Sequence, residues 1–373
     1  MDISALSANV GNVKAAIPSG SAASSADCHA GLPVVRGLAI RAAQTSIRSM
    51  KALLCTRYGT PDDLELADIA EPEPGAGEVA VRIHAAALNF FDTLIIAGKY
   101  QFKPAPPFSP AAEFAGTVES LGAGVSAFKA GDRVVGYMTY GAARERVVIS
   151  TDRLIKVPDK LDLDRAAGVC ITYGTTFHAL KDRAELKPGE SLAVLGAAGG
   201  VGLAAVELGK IMGARVIACA SSDEKLAFAS KHGADAAINY ANSDLKDALR
   251  RCTDGRGADV IYDPVGGPYT EPALRSIAWR GRFLVIGFAA GDIPKLPLNL
   301  VLLKGCDVLG VFWGSFIDRD PEGHRANTRQ LLDWCEQGRL SSHVHAVYPL
   351  AEGPAALKAI AARQVMGKIL LRP

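Results

Sequence analysis

The chain lacks a cysteine pairing pattern, an excess of either charge and any long apolar run, and each absence removes a class of protein. Its seven cysteines, at 28, 55, 170, 219, 252, 306 and 335, are odd in number, dispersed and without a C-x-x-C pair. That argues against a secreted disulfide framework or a zinc knuckle and reads as reduced thiols of a cytoplasmic protein. Formal net charge is +2 and the basic residues are scattered, so there is no footprint for nucleic acid or an anionic membrane surface. Apolar residues make up 49% of the chain, yet no run of them approaches the roughly 18 to 20 residues that would span a bilayer. A small molecule is the partner left standing. No repeat of the solenoid type is present either, and 373 residues predict two domains rather than one.

Residues 1–49 are rich in Ala, Ser and Gly, poor in acid, and carry Arg36, Arg41 and Arg48. LAIRAAQTSIRSM has the character of a transit peptide, but Met50 followed by KALLCTRYGTP reads as the start of a domain. The favoured reading of this stretch is a disordered or misassigned leader. Between residues 50 and 172, short alternating segments (KALLCTRYG, EVAVRIHAAAL, EFAGTVESLG, DRVVGYMTYG, ARERVVIS) are broken by Gly and Pro, the rhythm of a mostly β domain. From Ser191 onward, apolar strand-like runs (SLAVLG, RVIACA, AAINY, DVIYDPVG, RFLVIG, VLGVFW) alternate with helix-like stretches, which predicts a doubly wound parallel sheet.

The strongest single signal is SLAVLGAAGGVGLAAVELGKIMGARVIACAS: a buried strand, a Gly-rich turn, a helix and a second strand. Such a turn cradles a pyrophosphate on the helix N-terminus, so Ala198, Gly199, Gly200, Val201 and Gly202 are candidate cofactor contacts. Gly199 permits close backbone approach and Gly202 lets the helix pack on the strand. The first position of the G-x-G-x-x-G form is Ala197, preceded by Gly196. At the end of the second strand, where an acid would accept from the ribose 2′-hydroxyl of NAD, stands Ala220. Ser221, Ser222 and Lys225 follow it, hydroxyls and a cation that suit a 2′-phosphate and hence NADPH. The other reading of the serines is an N-cap of the next helix. Asp223 would repel a phosphate if it pointed inward, so it is predicted to point away.

Taken in order, ALNFFDTLIIAGKY, PFSPAAEFAGTVESLGAGV, FKAGDRVVGY, ITYGTTFHAL, GAAGGVG, YDPVGG, VIGFAAG and MGKILL resemble the medium-chain dehydrogenase/reductase superfamily, in its zinc-independent NADPH:quinone oxidoreductase branch. The likeness runs from Met50 to the end. It implies an α/β fold, a GroES-like β domain (50–172) plus a Rossmann doubly wound parallel sheet (173–312), with residues 313–373 returning to the catalytic domain. It also implies further cofactor contacts: Thr175 and Phe288 at the nicotinamide, Tyr240 and Arg363 at the adenosine phosphate. Alternatives for these last two are an aromatic packed on the sheet and a solvated helix residue. Zinc-dependent relatives carry Cys and His where this chain has Asn89 and Ala112, and the four-Cys lobe is missing, so no metal is expected. His178, His343 and His345 read as structural.

Without a metal, charge developing on an acceptor oxygen needs hydrogen-bond donors. The resemblance points to Asn89 and Tyr100, the latter in a GKY segment like that of enoyl thioester reductases, as catalytic residues. Asp92 reads as a cap or positioning group, and Phe90, Phe91, Phe312 and Trp313 as pocket walls or core. Leu94 stands where several quinone oxidoreductases carry another Tyr. The expected reaction is hydride transfer from NADPH to a quinone or an α,β-unsaturated carbonyl. A 2-enoyl thioester or alkenal reductase is the alternative within enzymes, and an NADPH-binding redox sensor without significant turnover the alternative outside them. The apolar segment CDVLGVFW suits edge pairing in a homodimer.

Overall fold

The structure, a computed structural model, describes residues 48–373. The leader expectations and Cys28 therefore lie outside the described residues, apart from Arg48 and Ser49. Ser49 already pairs with Ala70 as the first residue of a strand, one position before Met50.

The first domain is built from antiparallel strands. Ser49–Cys55 (β1) pairs with Leu64–Ala70 (β2), and a larger sheet contains Glu78–Leu88 (β3), Glu113–Leu121 (β4), Arg133–Tyr137 (β5), Arg146–Ser150 (β6) and Leu154–Lys156 (β7). β3 organises this sheet. One edge pairs with β4 throughout, while the other takes β6 along Glu78–Arg82 and leaves Ala86–Leu88 for a strand from the C-terminal end of the chain. That strand is Lys368–Arg372 (β15), which in turn pairs with Val344–Pro349 (β14).

The second domain is a parallel sheet of Ser191–Leu195 (β8), Arg215–Ala220 (β9), Ala236–Asn239 (β10), Ala258–Asp263 (β11), Ile277–Val285 (β12) and Asp307–Gly310 (β13), in the order β10-β9-β8-β11-β12-β13. Every residue of β8 is buried, as expected of a strand covered by helices on both faces. Its period of two divides the core. Leu192 and Val194 join the cluster shared with the first domain, whereas Ala193 and Leu195 join the cluster on the far face. The chain reverses direction across the sheet between β8 and β11, and that crevice at the carboxyl ends of the strands is where doubly wound sheets hold ligands.

Between the sheets runs a helical segment, Leu163–Ala167 and then Val169–Arg183, with wide π-type turns at Val169–Tyr173 and His178–Arg183. Residues 313–336 form two helices, Trp313–Arg319 and Pro321–Glu336. They pack beside this segment and also reach the first sheet, where Trp313 meets Tyr137 of β5 and the second helix lies against β7. Arg165 holds the end of the second helix by donating to Cys335 O (2.9 Å) and Leu340 O (2.7 Å). The α/β class, the GroES-like β domain and the doubly wound sheet are those expected from the sequence.

Candidate active site

β8 runs into the Gly-rich turn and the helix Gly200–Ile211. Gly196 takes the left-handed φ of +61°, which a residue with a Cβ rarely adopts, so it supplies the sharp turn that Ala197 does not. A Cβ on Gly202 would lie 2.1 Å from Gly196 O, a backbone clash, while one on Gly199 would find its nearest neighbour, the same oxygen, at 3.5 Å. Glycine at 202 is thus required by packing. At 199 the protein itself leaves room, and the space is open for something outside the chain. The leading amides of the helix, at Gly200, Val201 and Gly202, have no intrahelical acceptor and carry the positive end of the dipole. Gly367 closes the other side of the turn by donating to Ala198 O at 2.9 Å.

At the end of β9 the proposed phosphate donors converge. Ser222 caps the helix Asp223–Lys231, its Oγ accepting from Lys225 N–H at 3.3 Å; the capping role leaves its hydroxyl proton free to donate. Lys225 Nζ donates to Arg363 O (2.9 Å), and Arg363 Nη2 to Ala289 O (3.0 Å). The Tyr240 ring packs on Tyr269 at 4.3 Å between centroids, and its phenol is pushed up to about 12, chiefly by burial, with the Arg363 charge and the Ser221 hydroxyl among its neighbours. An ammonium has three donors and a guanidinium five, so both cations retain capacity for an anion. Asp223 is tied to the Asn239 side-chain amide (2.7 Å). Thr175 is half-buried in the helical segment, and Phe288 packs against the Gly266 turn.

The acceptor side begins at Asn89, which follows β3 and is the N-cap of the helix Phe90–Ile96. Asp92 in that helix is fully buried and accepts from the N–H groups of Asn89 (2.7 Å) and Ala111 (3.1 Å). Burial pushes its carboxyl up to about 7 against those hydrogen bonds and the Lys368 charge. With both oxygens committed to backbone, Asp92 positions the loop. Asn89 corrects the simplest expectation, that of a free amide donor: Nδ2 donates to Glu113 Oε1 at 3.0 Å and Oδ1 accepts from Lys368 Nζ at 2.7 Å. One N–H remains.

Tyr100 stacks on Phe91 (5.3 Å between centroids), and its phenol is raised above 10, first by burial and then by Asp92. Tyr137, which sequence reasoning missed, ends β5 directly opposite Glu113 and meets the Trp313 ring edge-on at 4.7 Å. Its phenol is pushed up to about 12 by burial, with Tyr100 the next cause. Trp313 connects the two ends of the cleft, because a Cβ on Gly174, beside Thr175, would meet its Nε1 at 3.0 Å. Of the other proposed walls, Phe90 and Phe91 are half-buried and Phe312 is exposed.

A zinc ion does not fit these residues. Asn89 offers an amide already engaged, Ala112 a methyl group, and the Glu113 carboxylate beside them has both oxygens taken, by the Asn89 amide, the Lys368 ammonium and the Ile171 N–H. Burial holds the neighbouring Cys170 thiol far above its ordinary range, and no cluster of three potential ligands occurs among the described residues. His178 is occupied by Asp182 (2.8 Å) and the Phe316 ring.

A β domain with a buried polar cleft, set against a Rossmann sheet whose Gly-rich turn faces that cleft, defines a two-domain oxidoreductase. Comparison with known proteins agrees. The family model described as alcohol dehydrogenase GroES-like domain matches residues 75–159, and that described as zinc-binding dehydrogenase matches residues 200–337. Quinone oxidoreductase-like protein 2 of Rattus norvegicus is 37% identical, with 89% of this chain and 94% of that one covered. The quinone oxidoreductase of Pseudomonas aeruginosa is 36% identical, over 87% of this chain and 99% of its own. The structure of Escherichia coli quinone oxidoreductase complexed with NADPH superimposes with a TM-score of 0.79 at 29% identity, covering 87% of this chain and 99% of that one. The chain belongs to the medium-chain dehydrogenase/reductase superfamily, in its quinone oxidoreductase branch.

Proposed function

We propose that this oxidoreductase uses NADPH to reduce a quinone or an α,β-unsaturated carbonyl, without a metal. The observation that carries the reading is the convergence of Ser221, Ser222, Lys225, Tyr240 and Arg363 beside Ala220, a set of hydroxyls and cations where an NAD site would need a carboxylate. The pyrophosphate would lie on the amides of Gly200, Val201 and Gly202, against Ala198 and Gly199, and the nicotinamide toward Thr175 and Phe288. When bound, the nucleotide supplies a hydride.

The chain's own residues do the rest. Trp313, Phe91 and Phe312 orient a flat acceptor, and the remaining Asn89 N–H and the Tyr100 phenol polarise its oxygen. Tyr100 then donates the proton that the reduced product takes up. Lys225→Ala and Arg363→Ala should each raise the KM for NADPH by about tenfold, the scale of one charge-assisted hydrogen bond, and leave that for NADH unchanged. A wild-type preference for NADH overturns the cofactor assignment.

Two further parts of the proposal concern the molecule's setting. A second copy of the chain is its partner, across the exposed edge of the parallel sheet. A reducing, cytoplasmic environment is supported by the free thiols at Cys55, Cys170, Cys219, Cys252, Cys306 and Cys335; no helix among the described residues is long and apolar enough to cross a membrane.

A further inference from the structure

Lys368 is 3% exposed and Glu113 not at all. Taking an ammonium and a carboxylate out of water costs several kcal/mol for each ion, and apolar residues of similar volume often hold a fold as well. The pair therefore calls for a role beyond stability. Lys368 Nζ spends its three donors on Leu88 O (3.0 Å), Asn89 Oδ1 (2.7 Å) and Glu113 Oε1 (2.9 Å). Glu113 spends its other oxygen on Ile171 N–H (2.8 Å). Between them the Asn89 amide has one permitted orientation, since an ammonium cannot accept and a carboxylate cannot donate. Flipped, it would set its NH₂ against the ammonium and its oxygen against the carboxylate.

The same lysine belongs to the nucleotide turn. The residue before it, Gly367, donates to Ala198 O, and a Cβ on Gly200 would lie 3.6 Å from Lys368 Cδ. We propose that Lys368 is a positioning residue which, with Glu113, fixes the Asn89 amide so that its second N–H serves the acceptor oxygen, and which ties that orientation to the Gly-rich turn. The ammonium on Oδ1 withdraws electron density from the amide and makes the remaining N–H the stronger donor. This rests on the reading of Asn89 as an acceptor-side donor.

The test is a cycle of variants of the full chain, assayed with NADPH and 1,4-benzoquinone. Asn89→Ala should lower kcat on the order of a hundredfold, as loss of an oxyanion donor does, with the dissociation constant for NADPH, read by its fluorescence, unchanged. Glu113→Gln, whose amide donates as well as accepts and so releases the lock, should lower kcat in the same direction, as should K368M/E113Q, in which both charges are gone. Added to Asn89→Ala, neither should lower it further, because residues acting through one group are not additive. A merely structural role would instead lower thermal stability and multiply with Asn89→Ala. Multiplying losses, or wild-type turnover in the charge variants, overturns the proposal and leaves the NADPH reductase reading intact. Wild-type turnover in Asn89→Ala removes Asn89 and Lys368 together from the mechanism. Failure of the wild-type chain to oxidise NADPH overturns both readings. Should K368M/E113Q not fold, the near-isosteric Glu113→Gln decides.

Discussion

At the scale of single residues, the cleft separates groups that hold a proton from groups that hold a shape. Tyr100 must be protonated to donate, and burial and Asp92 keep its phenol above its ordinary value of 10. Turnover limited by Tyr100 should thus stay level through neutral pH and fall only in strongly alkaline solution. Tyr100→Phe should slow it on the order of a hundredfold with NADPH affinity unchanged, and unaltered steady-state rates would remove Tyr100 from the mechanism. Asp92 is a different kind of group. Its folded value near 7 lies above the ordinary 3.8, so between the two the folded chain retains a proton that the unfolded chain has lost. Its contribution to stability is present in full below about pH 4 and is lost as pH rises through 7. Urea unfolding across this range should show that slope, and Asp92→Asn should flatten it whatever constant cost the new amide brings. The sequence drew attention to Tyr100 and Asp92 because GKY and NFFD are local signals. Glu113 and Lys368 were hidden because they meet across 255 residues. What was visible was an acid in AAEF and a lysine in GKILL, each inside an apolar run, and a lone charge in a buried strand requires a partner elsewhere.

At the scale of elements, the strand-turn-helix around the Gly-rich loop was the most legible part of the fold. Its signals, a buried run, glycines and a helical period, all fall within one stretch of chain. The structure refines the roles of those glycines into a prediction. Gly202→Ala drives a Cβ to 2.1 Å from Gly196 O and should displace the helix Gly200–Ile211, lowering the melting temperature by several degrees or preventing folding. Gly199→Ala meets nothing closer than 3.5 Å and should leave the melting temperature of the free protein within a degree or two. Nucleotide binding should nonetheless weaken, because the added methyl group occupies the approach of a pyrophosphate. Equal loss of stability in both variants would show that Gly199 serves the fold alone. Less legible was the seating of the helices of residues 313–336. Their anchoring depends on Arg165 reaching Cys335 and Leu340, contacts that leave no periodic trace in the sequence.

At the scale of the whole molecule, the distribution of exposed apolar side chains is uneven. Trp279 in β12 and Leu298, Leu302 and Leu303 in the helix before β13 are all at least 70% exposed, and Val308 in β13 is also exposed. β13 pairs with β12 on one side only. An edge strand flanked by apolar side chains is a template for another strand, and a contiguous patch of this kind marks an interaction surface in a soluble protein. A second copy placed by a two-fold axis would join β13 to its own counterpart and cover the patch on both protomers at once, since a two-fold interface is made of the same surface twice. The cleft residues Tyr100, Asn89 and Lys368 lie elsewhere in the fold, so assembly and chemistry should be separable. The wild-type chain should run as a dimer in light scattering at micromolar concentration, and Leu302→Glu, at a position too exposed to matter to the isolated fold, should run as a monomer with an unchanged circular dichroism spectrum. A wild-type chain that is already monomeric under those conditions would leave the patch without its second copy.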